Sequence, residues 1–492
     1  MVAGVATRFL PPRLIDVGPC EGSQHPYLCI VGEELKSQRD LPHYIALSYC
    51  WGGRGNVWTT SRNILERRKA IDIDHLPQTI RDAIQITREL GVQYLWVDAL
   101  CILQGQDDED ARIDWQQHSA IMGDIYGNSF VTIAAAAAAH ADIGIFSERR
   151  LPRYCRVPFS TGNQEEFIDL CSDENRTHNK KDPLSERSWA LQEKILSKRV
   201  VSYETGQILW GCSEFTVRED GTNTLKFSDI LASYAPSTWD STWRSFVTKY
   251  SETKLTFEKD KLPALSGLVR VLQHRNKDQY LAGLWKNAIY DELLWINKDV
   301  RVRRPSRYRA PSWSWAAIDG KVGWMHDTLR LYYDDETPVV VKHLAQLLDW
   351  GITLAGPDTF GEVSDAFLLI HGTLKTLENL EIRAVRKGRE NRYNIHLFRK
   401  PVHSELESLG TIYPDTMSSF NQVQCNGELL VESLSKLFLL PIQSASGVYL
   451  GLVLSYNDIN ELSYRRVGLF DLCPKDDKFW HDDCLQRDIR IE

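Results

Sequence analysis

The sequence predicts an α/β protein: an open, mostly parallel sheet domain, then a helical region, then a β-rich C-terminal region. Two observations predict it. Between residues 44 and 212, compact apolar runs alternate with segments of helical period, the strand–helix–strand order of an open parallel sheet. From about residue 331 onward, apolar runs follow one another with only turns between them. The expected division is residues 1–43 as a β-rich lead-in, 44–215 as the sheet domain, 216–330 as the helical region and 331–492 as the β-rich region.

The elements follow in order. Leu28-Cys-Ile-Val is a strand of the lead-in, between turn signals. Tyr44-Ile-Ala-Leu-Ser-Tyr-Cys is a buried strand that leaves into a tight loop at Trp51-Gly52-Gly53. Leu76, Ile80, Ala83, Ile84, Thr87 and Leu90 recur at helical period, with Pro77 in the first turn and Gly91 at the end. Tyr94 to Ile102 reads as the second strand. Asp114 is the expected cap of the next helix, which ends at Gly127. Phe130-Val-Thr-Ile-Ala-Ala is the third strand, Glu186 to Leu196 a short helix, and Arg199 to Glu204 and Gln207 to Cys212 two further strands around Thr205-Gly206. Ligands of open parallel sheets sit beyond the carboxyl ends of the strands. That rule puts Ser48 to Gly55, Asp98 to Gln104 and the loop after Ala134 on one rim. In the helical region Trp239, Trp243, Phe246 and Tyr250 share a helical face, and Ala282 to Trp295 is expected to be helical. Phe367 to Gly372, Leu437 to Ile442, Val448 to Leu454 and Tyr464 to Phe470 are the C-terminal strands.

Composition narrows the function. There are 58 Lys and Arg against 66 Asp and Glu, a net charge of −8, which argues against a general binder of nucleic-acid backbones. The longest apolar stretch, Phe130 to Ala139, falls short of the roughly 20 residues that a bilayer requires. The first residues lack a secretory pattern, and the ten cysteines form no CxxC pair. Reduced, mostly buried thiols in a cytoplasmic protein are expected, with no metal site.

Three segments carry a family resemblance: Tyr44-Ile-Ala-Leu-Ser-Tyr-Cys-Trp-Gly; Leu76-Pro-Gln-Thr-Ile-Arg-Asp-Ala-Ile with Tyr94-Leu-Trp-Val-Asp-Ala-Leu-Cys-Ile-Leu-Gln; and Arg187-Ser-Trp-Ala-Leu-Gln-Glu-Lys-Ile-Leu-Ser-Lys-Arg. In order and spacing they resemble the fungal heterokaryon-incompatibility (HET) domain over about residues 44–212. Asp260 to Gly267, Ala282 to Trp285 and Arg309 to Ala316 are similar to the region that usually follows it. Leu103 departs from the Asn that many members carry. The resemblance implies a role in fungal non-self recognition and regulated cell death. It also implies a flavodoxin/TIR-like sheet, because the HET domain has been proposed as a distant relative of TIR domains, some of which cleave NAD.

Trp189 and Glu193 are four residues apart and so share one helical face. Several NAD-cleaving TIR domains carry a similar Trp-x-x-x-Glu. Breaking a nicotinamide–ribose bond builds an oxocarbenium-like sugar, which a carboxylate stabilises. An indole supplies a flat face for the ring. Glu193 is therefore the expected catalytic residue. Ser48, Trp51, Gly52, Asp98, Arg187 and Trp189 are expected to bind the nucleotide, with NAD as substrate rather than resident cofactor. The alternatives stand beside these readings. Trp189 belongs to the core and Glu193 pairs with Lys194, Arg187 or Lys198; Trp51 is a buried turn residue; Asp98 pins local amides. Cys50 or Cys101 with His43 or His118 is a weaker nucleophile pair. The run Asp107-Asp-Glu-Asp lacks the pattern of a calcium loop and suits the start of a helix. Expected partners are a second copy of the chain or an incompatibility partner protein, and a small nucleotide. Two non-NAD readings remain: a non-catalytic self-association module, and an accessory enzyme of a fungal secondary-metabolite pathway.

Overall fold

The computed structural model describes residues 9–19, 25–35, 41–52, 57–105, 107–146, 154–161, 164–171, 181–221, 223–224, 239–299, 302–325, 340–377, 380–387, 392–399, 407–416, 422–425, 428–431, 436–457, 463–475, 477–481 and 484–492. The chain divides into two compact units, Met1–Tyr234 with Thr253–Leu255, and Ala235–Glu252 with Thr256–Glu492.

The first unit contains β1 (Arg13–Asp16), β2 (Tyr27–Ile30), α1 (Val31–Glu34), β3 (Tyr44–Ser48), α2 (Ile64–Arg67), α3 (Gln78–Glu89), β4 (Tyr94–Trp96), α4 (Asp98–Cys101), α5 (Glu109–Asn128), β5 (Val131–Ala134), a separate hairpin of β6 (Tyr154–Thr161) and β7 (Gln164–Cys171), α6 (Ser188–Leu196), β8 (Arg199–Tyr203), β9 (Ile208–Cys212), β10 (Thr216–Arg218) and β11 (Asn223–Thr224). Its sheet has nine strands in the order β11-β10-β9-β8-β5-β3-β4-β1-β2. The inner strands β8, β5, β3 and β4 run parallel. Every pairing outside them is antiparallel.

The sheet is therefore mixed, with more antiparallel than parallel pairings, and the expectation of a mostly parallel sheet is corrected. The reason is connection length. The turn between Tyr203 and Ile208 is far too short for a crossover, so β9 must fold back on β8. The lead-in supplies β1 and β2 to the same sheet.

Three of the inner strands, β3, β4 and β5, are buried along their whole length, as strands covered on both faces are, while β8 alternates between buried and more exposed positions. Helix α3 buries Ile80, Ala83, Ile84, Ile86 and Thr87, and Gly91 just beyond it takes φ +68°. Two boundaries differ from expectation. Helix α5 begins at Glu109, capped by Asp108, whose carboxylate accepts from the amides of Asp110 and Ala111. Asp114 lies a turn further in, where it pairs with Arg13 and accepts from the Leu103 amide at 2.7 Å. The second strand stops at Trp96 rather than Ile102, because the amides of Leu100 and Cys101 turn back to the Val97 carbonyl and that of Ile102 to the Asp98 carbonyl, which makes a helical turn; Asp98 Oδ1 also accepts from the Ala99 amide at 2.7 Å.

The second unit holds a ten-stranded, almost wholly antiparallel sheet within residues 342–491. The helices Trp239–Ser251 and Ser266–Asn276 precede it. Ala282 to Trp295 is not one helix: it contains the hairpin Tyr280–Leu281/Leu284–Trp285, a short helix Ile289–Glu292 and the start of strand Trp295–Asn297. Gly283 sits at φ +111° against the Trp315 indole, where a Cβ would meet Nε1 at 2.8 Å. Trp243, Trp285, Trp295, Trp313, Trp315 and Trp324 are all buried. Among the described residues no helix is long and apolar enough to cross a membrane.

Candidate functional site

The parallel strands reverse direction of growth at β3. Strand β4 lies on one side of it and β5 on the other. Where the order of an open sheet reverses, the loops beyond the strand ends part and leave a crevice. Ser48, the last residue of β3 and paired with Ala134 at the end of β5, stands at that point.

The Ser48 hydroxyl donates to the carboxylate of Glu193. Glu193 reaches it from α6, whose last turn is tied to β5 by a chain of hydroxyls. Ser197 Oγ donates to the Glu193 carbonyl at 2.6 Å and meets Thr132 Oγ1 at 2.6 Å, and Thr132 meets Ser129 at 3.1 Å. Tyr126, buried in α5, donates to the Leu47 carbonyl at 3.1 Å and faces the same carboxyl.

The segment after β3 is fastened on two sides. Trp51 Nε1 donates to Asp98 Oδ2 at 2.8 Å, and Arg187 donates to the Tyr49 carbonyl. Gly52 adopts φ +79°, and a Cβ there would lie 2.4 Å from His140 Cβ, so position 52 has room only for glycine.

Burial raises Glu193 to about 7; the hydroxyls of Ser48 and Tyr126 and the charge of Arg187 oppose the rise, while Asp98 adds to it. Burial also raises Asp98, against Arg187, the Trp51 indole and the Tyr49 hydroxyl. Both residues are only half-buried overall, with their carboxyl groups at the enclosed end. The cluster thus joins one cation to two acids that burial makes harder to ionise. A carboxyl poised near neutrality can take up or release a proton at physiological pH.

Residues 44–193 match the family model described as Heterokaryon incompatibility protein (HET). The chain carries a HET domain. The matched span opens on the first residue of β3 and closes on Glu193, so both ends of the Ser48–Glu193 bond lie inside it. No curated protein and no solved structure matches the chain.

Within the HET domain, Ser48, Trp51, Asp98, Arg187 and Glu193 come together in one cluster, with Gly52 at its edge. Trp189 packs its ring edge-on against Trp115 at 5.8 Å and joins α6 to α5 at the margin of the core. The direct partner of Glu193 is Ser48, not a surface lysine or Arg187. Asp98 accepts from the local amide of Ala99, as a structural pin does, and also accepts from the Trp51 indole. Gly53 to Gly55 of the expected rim lie outside the described residues. Gln104 donates its backbone amide to the Thr59 carbonyl at 2.8 Å and its side-chain amide to the Ile102 carbonyl at 3.2 Å.

The cysteine–histidine pairs do not form. Cys50 has Arg187 and Glu193 as its charged neighbours. Burial holds the Cys101 thiol up at about 12. His118 Nδ1 bonds to the Asp114 carbonyl at 2.8 Å, and His43 packs on Phe130. Among the described cysteines, Cys29, Cys50 and Cys101 are buried, while Cys155 and Cys473 are exposed, so burial is less general than expected. No group of three metal-binding side chains occurs among the described residues. Sequence reasoning missed Tyr126 as part of the site. In the sequence it is one more apolar-face residue of a helix, and nothing marks its hydroxyl as turned toward a carboxyl 67 residues away.

Proposed function

We propose that this HET-domain chain acts in fungal non-self recognition leading to cell death, and that the crevice at the end of β3 hydrolyses NAD in the manner of a TIR-like nucleosidase. The observation that carries the reading is the Ser48–Glu193 hydrogen bond at the reversal point of the sheet. The order of the parallel strands supports it. Numbered by appearance they run 2-1-3-4, the beginning of the flavodoxin order, whose ligands occupy the crevice between the first and third strands.

In this reading the bond between ribose C1′ and the nicotinamide nitrogen breaks, and nicotinamide leaves with the bonding electrons. The ionised Glu193 stabilises the ribosyl cation, then accepts the proton of the water that adds to C1′. Trp51, steadied by Asp98, offers its face to the nicotinamide. Arg187 meets the phosphates. The test is nicotinamide release by the purified full chain at millimolar NAD. Release that disappears in Glu193→Ala supports the reading, and release unchanged by that substitution ends it.

A second reading is favoured by one observation: the polar groups of the cluster satisfy one another. Glu193 is bonded by Ser48, and Asp98 by Trp51 and Ala99. In that case the cluster is a structural pin in a non-catalytic module that signals by self-association. Glu193→Ala would then lower stability without affecting NAD, and surface substitutions that block oligomers would abolish signalling.

A further inference from the structure

Tyr126 reaches this cluster from α5. It is buried, and the edge-on contact of its ring with Trp96, centroids 5.6 Å apart, fixes where the hydroxyl sits. That hydroxyl has two acceptors within reach, the Leu47 carbonyl at 3.1 Å and the Glu193 carboxyl. It has one proton to give. Leu47 and Ser48 are consecutive, so β3 delivers a backbone acceptor for Tyr126 and a hydroxyl donor for Glu193 side by side.

The two acceptors differ in strength, and the difference depends on charge. A neutral carboxyl competes poorly with a backbone carbonyl. An ionised carboxylate accepts a charge-assisted bond that is shorter and roughly twice as strong as a neutral one. We propose that Tyr126 is a positioning residue for Glu193, giving its phenolic proton to the Leu47 carbonyl while the acid is neutral and to the carboxylate once it ionises. The inference deepens the NAD reading and rests on it only for the catalytic consequence.

The other groups facing Glu193 are Ser48 from β3, Cys50 beyond it, Asp98 from α4 and Arg187 at the start of α6. None of them is altered by removing the phenolic oxygen. The backbone of Glu193 is held separately, by Ser197 and Thr132. Loss of the Tyr126 hydroxyl therefore removes a donor to the anion and leaves α6 in place.

The experiment is a carboxyl carbon-13 NMR titration of Glu193 in the full chain without nucleotide, for the native protein, Tyr126→Phe and Ser197→Ala. Tyr126→Phe keeps the ring against Trp96. It should raise the Glu193 midpoint by about one unit, the equivalent of one lost bond to a charged acceptor. Replacement of Tyr126 by 3-fluorotyrosine, a stronger donor, should lower the midpoint. Ser197→Ala should reduce thermal stability and leave the midpoint where it was. If neither change at Tyr126 moves the midpoint, Tyr126 is only a core residue and the proposal is overturned. With NAD, the ascending limb of the rate–pH profile should move with the midpoint, lowering kcat several-fold at neutral pH with KM little changed. Loss of the NAD reading, through a silent Glu193→Ala, would leave the titration result standing or falling by itself.

Discussion

Ser48 and Glu193 are 145 positions apart in the chain and share a hydrogen bond at the point where the sheet reverses its order. The bond joins the tip of the first parallel strand to the helix that leads into the last. Ser48→Ala removes the donor and leaves a half-buried carboxyl short of one partner. We expect a loss of roughly 1–3 kcal/mol at pH 8, where Glu193 is ionised, and a smaller loss at pH 5. Urea unfolding at the two pH values checks it, and equal losses at both would contradict the assignment of the bond to the ionised acid.

Stability should also depend on pH through Glu193. Its folded value, about 7, is raised from the ordinary 4.5. The folded state then holds more protons than the unfolded chain between these values. The contribution to stability is full below about pH 4.5, declines as pH rises, and is gone above about pH 7. Asp98 is raised as well and acts with the same sign. After allowance for half-exposure the Glu193 contribution is roughly 2 kcal/mol. Glu193→Gln cannot titrate, so the difference in melting temperature between it and the native chain should change across this interval and be flat above it.

Trp51 and Asp98 form the second fastening, at 2.8 Å. Trp51→Phe keeps most of the ring and removes the N–H. We expect a coupling of about 1 kcal/mol between Trp51→Phe and Asp98→Ala in a double-mutant cycle read by thermal unfolding. If the crevice binds NAD, Trp51→Phe should raise KM more than it lowers kcat, because the phenyl ring is smaller and no longer held by Asp98 for stacking. Additive single changes would remove the fastening from the account.

The sequence made some of this legible and hid the rest for physical reasons. Tyr44 to Ser48 could be read because a strand buried on both faces must be apolar throughout, and the glycine after Trp51 marks a turn. Glu193 could be placed on a helix by periodicity, but only the fold brings it to Ser48. The antiparallel flanks were hidden because an apolar run does not state its direction; the short Thr205-Gly206 turn was the signal that β9 must return along β8. The strand end at Trp96 was hidden because Ala99 to Ile102 continues the apolar run, while the turn is closed by backbone bonds from Leu100 and Cys101 to Val97 and from Ile102 to Asp98 that an apolar run does not announce. Trp189 matched a motif, yet its ring is taken up by Trp115, since spacing fixes a helical face and not what that face meets.

Gly52→Ala tests the backbone just beyond β3. The residue holds φ +79°, and an added Cβ would overlap His140 Cβ at 2.4 Å. The left-handed backbone and the overlap together should cost about 1–3 kcal/mol. Gly91 has a similar φ of +68° but open space around it, so Gly91→Ala isolates the backbone component. The alanine at 52 should be the more destabilising of the two in urea unfolding, and the reverse order would rule out the contact with His140.

The second unit offers a test independent of the HET domain. Arg466 is wholly buried, and its guanidinium lies 3.5 Å over the Trp295 ring. It donates to the carbonyls of Leu293 and Trp295 and to Asp415 at 3.0 Å. Asp415 also receives Arg304 at 3.2 Å. Burial pushes Arg466 down to about 10, still charged at neutral pH. Removing the carboxylate therefore leaves two guanidinium groups enclosed without their counter-charge. Asp415→Ala should cost about 3–5 kcal/mol, the range for breaking a buried ion pair from one side. Calorimetry of the full chain should find a lowered unfolding transition. A drop below 1 kcal/mol would mean that the two carbonyls and the indole face are enough to hold the charge.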